Sequence, residues 1–337
     1  MVKKLLKLAC AGLTALAILC FFCAVYNRTP MYRPSTLGNT DFVWPGGAAW
    51  SQMIEGISHG RFDAWGFNNP AVREDPDILL LGSSHMEGTY VNQDRLLTVQ
   101  LEKLLEGRAT AYNMGISGCH LPQTLQSLPK TLEVYENPPG LILIESHDLY
   151  LSQEQVSSIL EGTIPSIFTP KPGWLRPILS LPYLRLMAQQ KNLGLLNLLN
   201  PPRKPAPAEV YEEDRTLLPP DAAEGGVYDP IFQQLQALQQ QYGVTFLIFY
   251  QPTEELQKDG SVIFPQDPRV LVFEQKCRDY GIAFLNMTES FETMYTRDHR
   301  LPHGFITGRI GTGHLNADGH EAIARAVFDW ICQQEGK

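Results

Sequence analysis

The chain has 337 residues, 44% of them hydrophobic and 19% charged, enough to bury one large core or two modest ones. Its net charge is −9, and no basic patch carries interleaved aromatics, which argues against nucleic acid as a partner.

Lys3, Lys4 and Lys7 precede an uncharged stretch of 19 residues from Leu8 to Tyr26, which Arg28 closes. A helix needs about 20 apolar residues to cross a bilayer, so residues 8–26 are predicted to span a membrane within a 1–28 anchor. The lysines would then stay in the cytoplasm and the rest of the chain would lie outside the cell membrane. A cleaved signal peptide is the rival reading, but a small-x-small cleavage site is hard to find near Cys23, Ala24, Val25 and Tyr26. Nor do Cys20 and Cys23 follow the small residues that a lipoprotein signal would place before them.

Residues 29–76 are rich in Pro, Gly, Trp and Asn and show no long period, as expected of an extracytoplasmic extension that wraps a domain. The stretch from Asp63 to Pro70 is either part of that wrap or a rim of the active site. From residue 77 onward, strand and helix alternate. Strands are predicted at 77–82, 109–114, 141–144, 244–249 and 282–285, and helices at 93–105, 121–135, 229–242, 267–280 and 317–333. Strands separated by helical runs imply right-handed crossovers and a parallel sheet, hence a flavodoxin-like, three-layer α/β domain over 77–337.

Residues 163–226 interrupt this alternation. They are Pro-rich, hold two apolar helical pieces at 174–187 and 193–199, and end like a linker at 201–207. This insertion is either a helical cap over the sheet or an interfacial, partner-docking element with Arg176, Arg185, Lys191, Arg203 and Lys204 facing a membrane surface. Of six cysteines, Cys10, Cys20 and Cys23 lie in the first helix, leaving Cys119, Cys277 and Cys332. So scattered a set makes neither a disulfide framework nor a zinc site, and Cys119 reads as a small buried residue.

Chemistry concentrates at two places. The aliphatic run from Ile78 to Leu81 breaks into Gly82, Ser83, Ser84 and His85, placing serines at the carboxyl edge of a sheet. A serine hydroxyl becomes a nucleophile only with a base to take its proton and donors to hold the oxyanion. A histidine block follows about 230 residues later, with His314, Leu315, Asn316, Gly319 and His320.

Together these segments resemble the SGNH (GDSL-like) hydrolase superfamily. Gly82-Ser83-Ser84 overlays its G-D-S block, with Ser83 in the Asp position and Ser84 as nucleophile. His314 to His320 overlays its H-P-N-x-x-G-H block, with Leu315 in place of Pro. Asn113 to Gly118 resembles its N-x-x-x-S-G block. The resemblance implies Ser84 as nucleophile, His314 as base, His320 as a supporting residue, and oxyanion donors at Ser84 and Gly118. In this chain Gly311 stands where the family has the Asp that orients the histidine. Asp298 and Asp148 are the candidate replacements, and a Ser-His dyad oriented by a carbonyl is the alternative. The family's Asn after the third strand is also missing. Ser146 or His147 stands there as a donor, and Ser83, His85, His120 and His147 are expected at the pocket rim. No metal or other cofactor is expected.

The GSS block, the single amino-terminal helix and the outer domain most resemble a subgroup of the superfamily, the D-alanyl-transfer and the alginate and peptidoglycan O-acetylation proteins. That resemblance implies an acyltransferase that takes an acyl group on Ser84 and passes it to a cell-surface glycan or polyol hydroxyl, beside a membrane-bound O-acyltransferase. A carbohydrate esterase or deacetylase is the close alternative. A non-catalytic scaffold or glycan-binding module is the third.

Overall fold

The computed structural model describes residues 2–26, 28, 30, 32–35, 37, 40–53, 55–166, 226–265, 267–308 and 310–336. Both helical pieces expected in the 163–226 insertion lie outside these residues. The chain begins with α1 (Val2–Tyr26), in which Val2–Phe22 is long and apolar enough to cross a membrane and is not buried against the rest of the protein. Membrane anchors and signal sequences share these properties. Two small antiparallel hairpins follow, β1 (Arg33–Pro34) with β2 (Phe42–Val43) and β3 (Ala49–Gln52) with β4 (Ser58–Arg61).

The main domain then runs through β5 (Ile78–Leu81), α2 (Ser84–Glu87), α3 (Leu97–Leu104), β6 (Ala111–Asn113), α4 (Leu121–Glu133), β7 (Leu141–Ser146) and α5 (Gln153–Glu161). After the insertion come α6 (Asp229–Tyr242), β8 (Thr245–Tyr250), the short pair β9 (Glu255–Leu256) and β10 (Val262–Ile263), α7 (Pro268–Asp279), β11 (Ala283–Asn286) and α8 (Thr288–Asp298). A hairpin of β12 (His303–Gly304) and β13 (Ile310–Leu315) leads into the final helix α9 (Ala317–Glu335).

Five parallel strands form the central sheet in the order β11-β8-β7-β5-β6. This is the flavodoxin-like arrangement expected from the sequence, a three-layer α/β/α fold. Successive side chains of a strand point to opposite faces, and the aliphatic runs fill both. Leu79, Leu81, Ile142, Ile144, Phe246 and Ile248 pack under α4, α5, α6 and α7. Ile78, Leu80, Leu141, Leu143, Leu247 and Phe249 pack under α3, α8 and α9. The chain leaves β5 toward β6 on one side and later builds β7, β8 and β11 on the other. The order therefore reverses at β5, and open sheets of this kind place their ligand crevice beyond the carboxyl ends of the strands at such a reversal.

Some elements differ from the expectation. The helix expected over 93–105 is split, because Leu96 adopts an extended conformation between a 3₁₀ turn at Gln93–Arg95 and α3. Helix α8 and the β12/β13 hairpin also lie in stretches whose periodicity does not show them.

The wrap of residues 29–76 is ordered around the 63–70 stretch. Asp63 accepts from Gly66 N, Phe67 N, Asn69 Nδ2 and Tyr112 Oη. Asn69 is buried against edge strand β6, where its Oδ1 accepts from Asn113 N at 2.9 Å and its Nδ2 donates to Asn113 O at 2.9 Å. One amide side chain thus meets both outward backbone groups of Asn113 at the edge of the sheet. Asn69→Ala leaves both backbone groups of Asn113 unmet, and urea unfolding of the full chain in detergent is expected to show a loss of about 1–3 kcal/mol.

Candidate active site

The turn after β5 is built to present Ser84. Ser83 Oγ accepts from His85 N at 3.3 Å as the cap of the short helix α2, and Gly88 closes that helix in the left-handed region at φ 64°. Ser83 is itself buried and donates its N–H to Glu145 Oε2 at 2.8 Å. It shapes the turn and does not line a rim, a correction to the expectation above. Ser84 is half-buried at the mouth of the crevice.

His314 arrives on β13, at the other side of the serine. Its Nε2 lies 3.0 Å from Ser84 Oγ, and its Nδ1 lies 2.9 Å from Glu55 Oε2. Glu55 Oε1 also accepts the backbone N–H of His314 at 2.6 Å. With Nδ1 donating to the carboxylate, Nε2 presents its lone pair to the serine hydroxyl. Tyr90 stacks on the imidazole with ring centroids 3.7 Å apart. Burial alone would raise the Glu55 carboxyl, but the side-chain and backbone bonds from His314 outweigh it and bring it below the usual carboxylate range.

The carboxylate beside His314 is therefore that of Glu55, not of Asp298 or Asp148. Asp298 is held by Arg297 at 2.8 Å and Arg300 at 3.2 Å, and Asp148 accepts from Tyr150 N at 3.0 Å. Glu55 comes instead from the loop between β3 and β4, which Gly56 N ties to Thr307 Oγ1 at 2.9 Å and Ser58 Oγ ties to Thr89 O at 2.7 Å. The glycines around His314 explain the exchange. Gly311 has φ +73°, a backbone conformation that strains other residues, and a Cβ there would meet Leu256 Cδ1 at 2.1 Å. Gly313 has φ +95°, and its missing Cβ leaves the space that Glu55 Oε1 occupies, 2.1 Å from where that Cβ would stand.

The rest of the 314–320 block is structural. Asn316 Oδ1 caps α9 by accepting from Asp318 N and Gly319 N, and its Nδ2 holds Leu301 O and Gly304 O. His320 is buried, accepts from Leu97 N at 3.3 Å, and is pushed down to about 4 by burial, so it stays neutral. Cys119 is pushed up to about 12 by burial, which keeps its thiol protonated and poorly nucleophilic.

The loop carrying Gly118 is docked on the turn that carries Ser84. Met114 N donates to Leu80 O at 2.8 Å, Ile116 N donates to Gly82 O at 3.0 Å, and Ser117 Oγ donates to Glu87. Gly118 stands exposed in the turn that follows. Glu87 is buried beneath, also accepting from Trp44 Nε1 at 2.5 Å, and burial raises its carboxyl. Ser146, expected as an oxyanion donor, gives its hydroxyl proton to Asp148 O at 2.5 Å and is committed there.

Histidines line the remaining wall. His85 Nδ1 accepts from Leu315 N at 3.1 Å, and its ring lies 5.2 Å from His314, 5.5 Å from His147 and 5.7 Å from His303. Burial and the neighbouring histidines outweigh the attraction of Glu145 and hold His85 well below the usual imidazole range, hence neutral. His120 is exposed at the head of α4, 5.3 Å from His147. Among the described residues no cluster of His, Cys, Asp and Glu has the geometry of a metal site.

No family model matches the chain, and no curated protein matches it in sequence. Solved structures similar to it include an acetyl xylan esterase, AlAXEase, at 11% identity over 75% of this chain and 98% of that one, with TM-score 0.38. A carbohydrate acetylesterase family member from Sinorhizobium meliloti matches at 14% identity over 77% and 100%, with TM-score 0.36. An alpha/beta hydrolase enzyme from the metagenome of Lake Arreo, Spain, matches at 13% over 77% and 95%, with TM-score 0.39.

Glu145 gives the site a pH signature. Burial pushes against its charge, yet the bond and charge of His147 and the Ser83 N–H bring it down to about 2. A carboxylate depressed on folding adds stability above its unfolded value of roughly 4.3, and that stability is lost as pH falls toward the folded value. Denaturation at pH 6 and pH 3 is expected to show wild type losing stability on acidification, with a smaller loss in Glu145→Gln.

Proposed function

We propose that the chain is a serine-dependent acyl-transfer enzyme in which Ser84 carries the acyl group. The observation that supports this reading is the continuous chain from Glu55 through His314 to Ser84, closed by contacts of 2.9 and 3.0 Å. Glu55 fixes the tautomer of His314 and stabilises the imidazolium that forms when His314 takes the Ser84 proton. Ser84 Oγ then bonds to the carbonyl carbon of an ester, and the backbone N–H groups of Ser84 and Gly118 receive the charge that develops on its oxygen. Collapse breaks the bond to the leaving alcohol, which departs with the proton from His314.

The acyl-enzyme passes its group to whichever hydroxyl His314 next deprotonates. With water the reaction is ester hydrolysis. With a glycan or polyol hydroxyl it is O-acyl transfer, of an acetyl or D-alanyl type group. We favour transfer at the cell surface, on the apolar helix α1 as a membrane anchor and on the resemblance of the GSS block to envelope O-acylation proteins. A membrane-bound O-acyltransferase is the matching donor partner.

The full chain in detergent is expected to react with a fluorophosphonate serine probe, and Ser84→Ala and His314→Ala are each expected to abolish labelling. Labelling that persists in Ser84→Ala would place the reactive serine elsewhere and contradict the reading.

A further inference from the structure

Exposed aliphatic side chains gather on the hairpins that carry Glu55 and His314, and the mechanism above uses none of them. Ile306 is 94% exposed and Ile57 65%, and Ile310, Leu256 and Ile263 are exposed as well. Scattered apolar side chains on a surface need no account, but these are joined. Gly56 N donates to Thr307 Oγ1 at 2.9 Å, which sets Ile57 on the tip of the β3/β4 hairpin beside Ile306 on the tip of β12/β13. Leu256 Cδ1 lies 2.1 Å from where a Cβ of Gly311 would stand, next to Ile310. Strand β9 pairs with β10 so that Ile263 stands opposite Glu255, the neighbour of Leu256. Three adjoining hairpins thus share one apolar rim, and two of them supply the residues that hold Ser84 Oγ in the chain from Glu55.

The apolar helix α1 ends beside this rim. Two residues beyond Tyr26, Arg28 N donates to Ser51 Oγ at 2.8 Å and Ser51 N donates to Arg28 O at 2.8 Å, so the chain passes from the helix straight onto β3. Ser51 pairs with His59, and Ile57 stands two positions further toward the tip, roughly 7 Å along the strand. The uncharged stretch from Leu8 to Tyr26 has 19 residues and as a helix is about 29 Å long, close to the roughly 30 Å hydrocarbon core of a bilayer. Arg28 then falls at the outer headgroup level, and the rim lies within a few residues of it. Among the described residues β9/β10 carries Lys258 against Glu255 and Asp259, so what the rim offers a bilayer is apolar area and not positive charge.

We propose that this rim docks on the outer lipid surface beside the emerging α1, with Ile57 and Ile306 seated at the boundary between headgroups and acyl chains. This inference rests on α1 as a membrane anchor. The helix supplies the tether and keeps the hairpins at the bilayer, and the aliphatic side chains fix which face of the domain meets the lipid, since interfacial binding scales with the apolar area buried. Ser84 and His314 are thereby held at the membrane surface. An ester donor presented there reaches the serine without crossing open water.

The test is photocrosslinking of the full chain in phosphatidylcholine vesicles, with p-benzoylphenylalanine replacing Ile57, Ile306 or, as reference, Gln334. Gln334 is exposed at the other end of the domain, next to Glu335, which bonds Arg108 ahead of β6 at 3.2 Å. Illumination is expected to give a covalent phosphatidylcholine adduct, read by intact mass, from positions 57 and 306 and none above background from 334. The inference is overturned if 57 and 306 give no more adduct than 334. It is also overturned if they crosslink to residues 163–226 of the same chain or to a second copy in place of lipid. An alkaline carbonate wash of the same vesicles separates the two failures. If the wash releases the full chain, α1 does not anchor it and this inference falls with that reading, whereas a retained chain without lipid adducts overturns the docking alone.

Discussion

The arrangement around Ser84 depends on one carboxylate gripping one residue twice. Glu55 accepts both the backbone N–H and the imidazole Nδ1 of His314, which fixes the ring in position and in tautomer. A single bond to Nδ1 would leave the imidazole free to swing about its χ angles. The second bond, to the main chain of β13, ties Glu55 to the strand that carries His314. That grip requires Gly313 without a side chain, the β3/β4 loop docked near Thr89 and Thr307, and Tyr90 packed on the ring. The amino-terminal wrap is therefore part of the site, and the sheet alone would present a serine and an unoriented histidine.

The same device recurs one strand away. Glu254 Oε1 accepts His303 N at 3.2 Å, and its Oε2 lies 2.6 Å from His303 Nδ1, with both side chains fully buried. His303 sits on β12, which pairs with β13 through His303 and Leu315, and its ring packs on His85 and Phe291. Glu145 pairs with His147 differently, accepting the backbone N–H of Ser83 on one oxygen and lying beside His147 Nδ1 with the other. An unpaired buried carboxylate costs several kcal/mol, so each of these glutamates stays inside because its partners meet it. The outcome is a floor of fixed charges and dipoles beneath an otherwise mobile type of side chain, which is what preorganised catalysis requires.

Much of this was legible in the sequence because it rests on local pattern. The aliphatic strands, their alternation with helices and the serine at the end of the first of them follow from periodicity and from where parallel sheets place their edges. The 314–320 block could be read because each of its residues has a local task, from the Asn316 cap to the buried His320. Glu55 was not legible. It lies 259 residues from its partner, in a loop whose sequence fits any hairpin tip. The one local sign was negative, in that Gly311 and Gly313 leave no acid beside the histidine and make room for one from elsewhere. Asp298 and Asp148 were reasonable by type, but arginines already hold the first and a local turn holds the second. The Ser146 hydroxyl is engaged for a similar reason, since it donates a hydrogen bond to the carbonyl of Asp148.

The most direct measurement is kcat/KM for p-nitrophenyl acetate in the full chain, comparing Glu55→Gln with Asp298→Asn. If Glu55 orients His314, Glu55→Gln falls on the order of 10⁴-fold while Asp298→Asn stays near wild type. Wild-type turnover in Glu55→Gln, or an equal loss in Asp298→Asn, would contradict the assignment of the acid to the amino-terminal wrap.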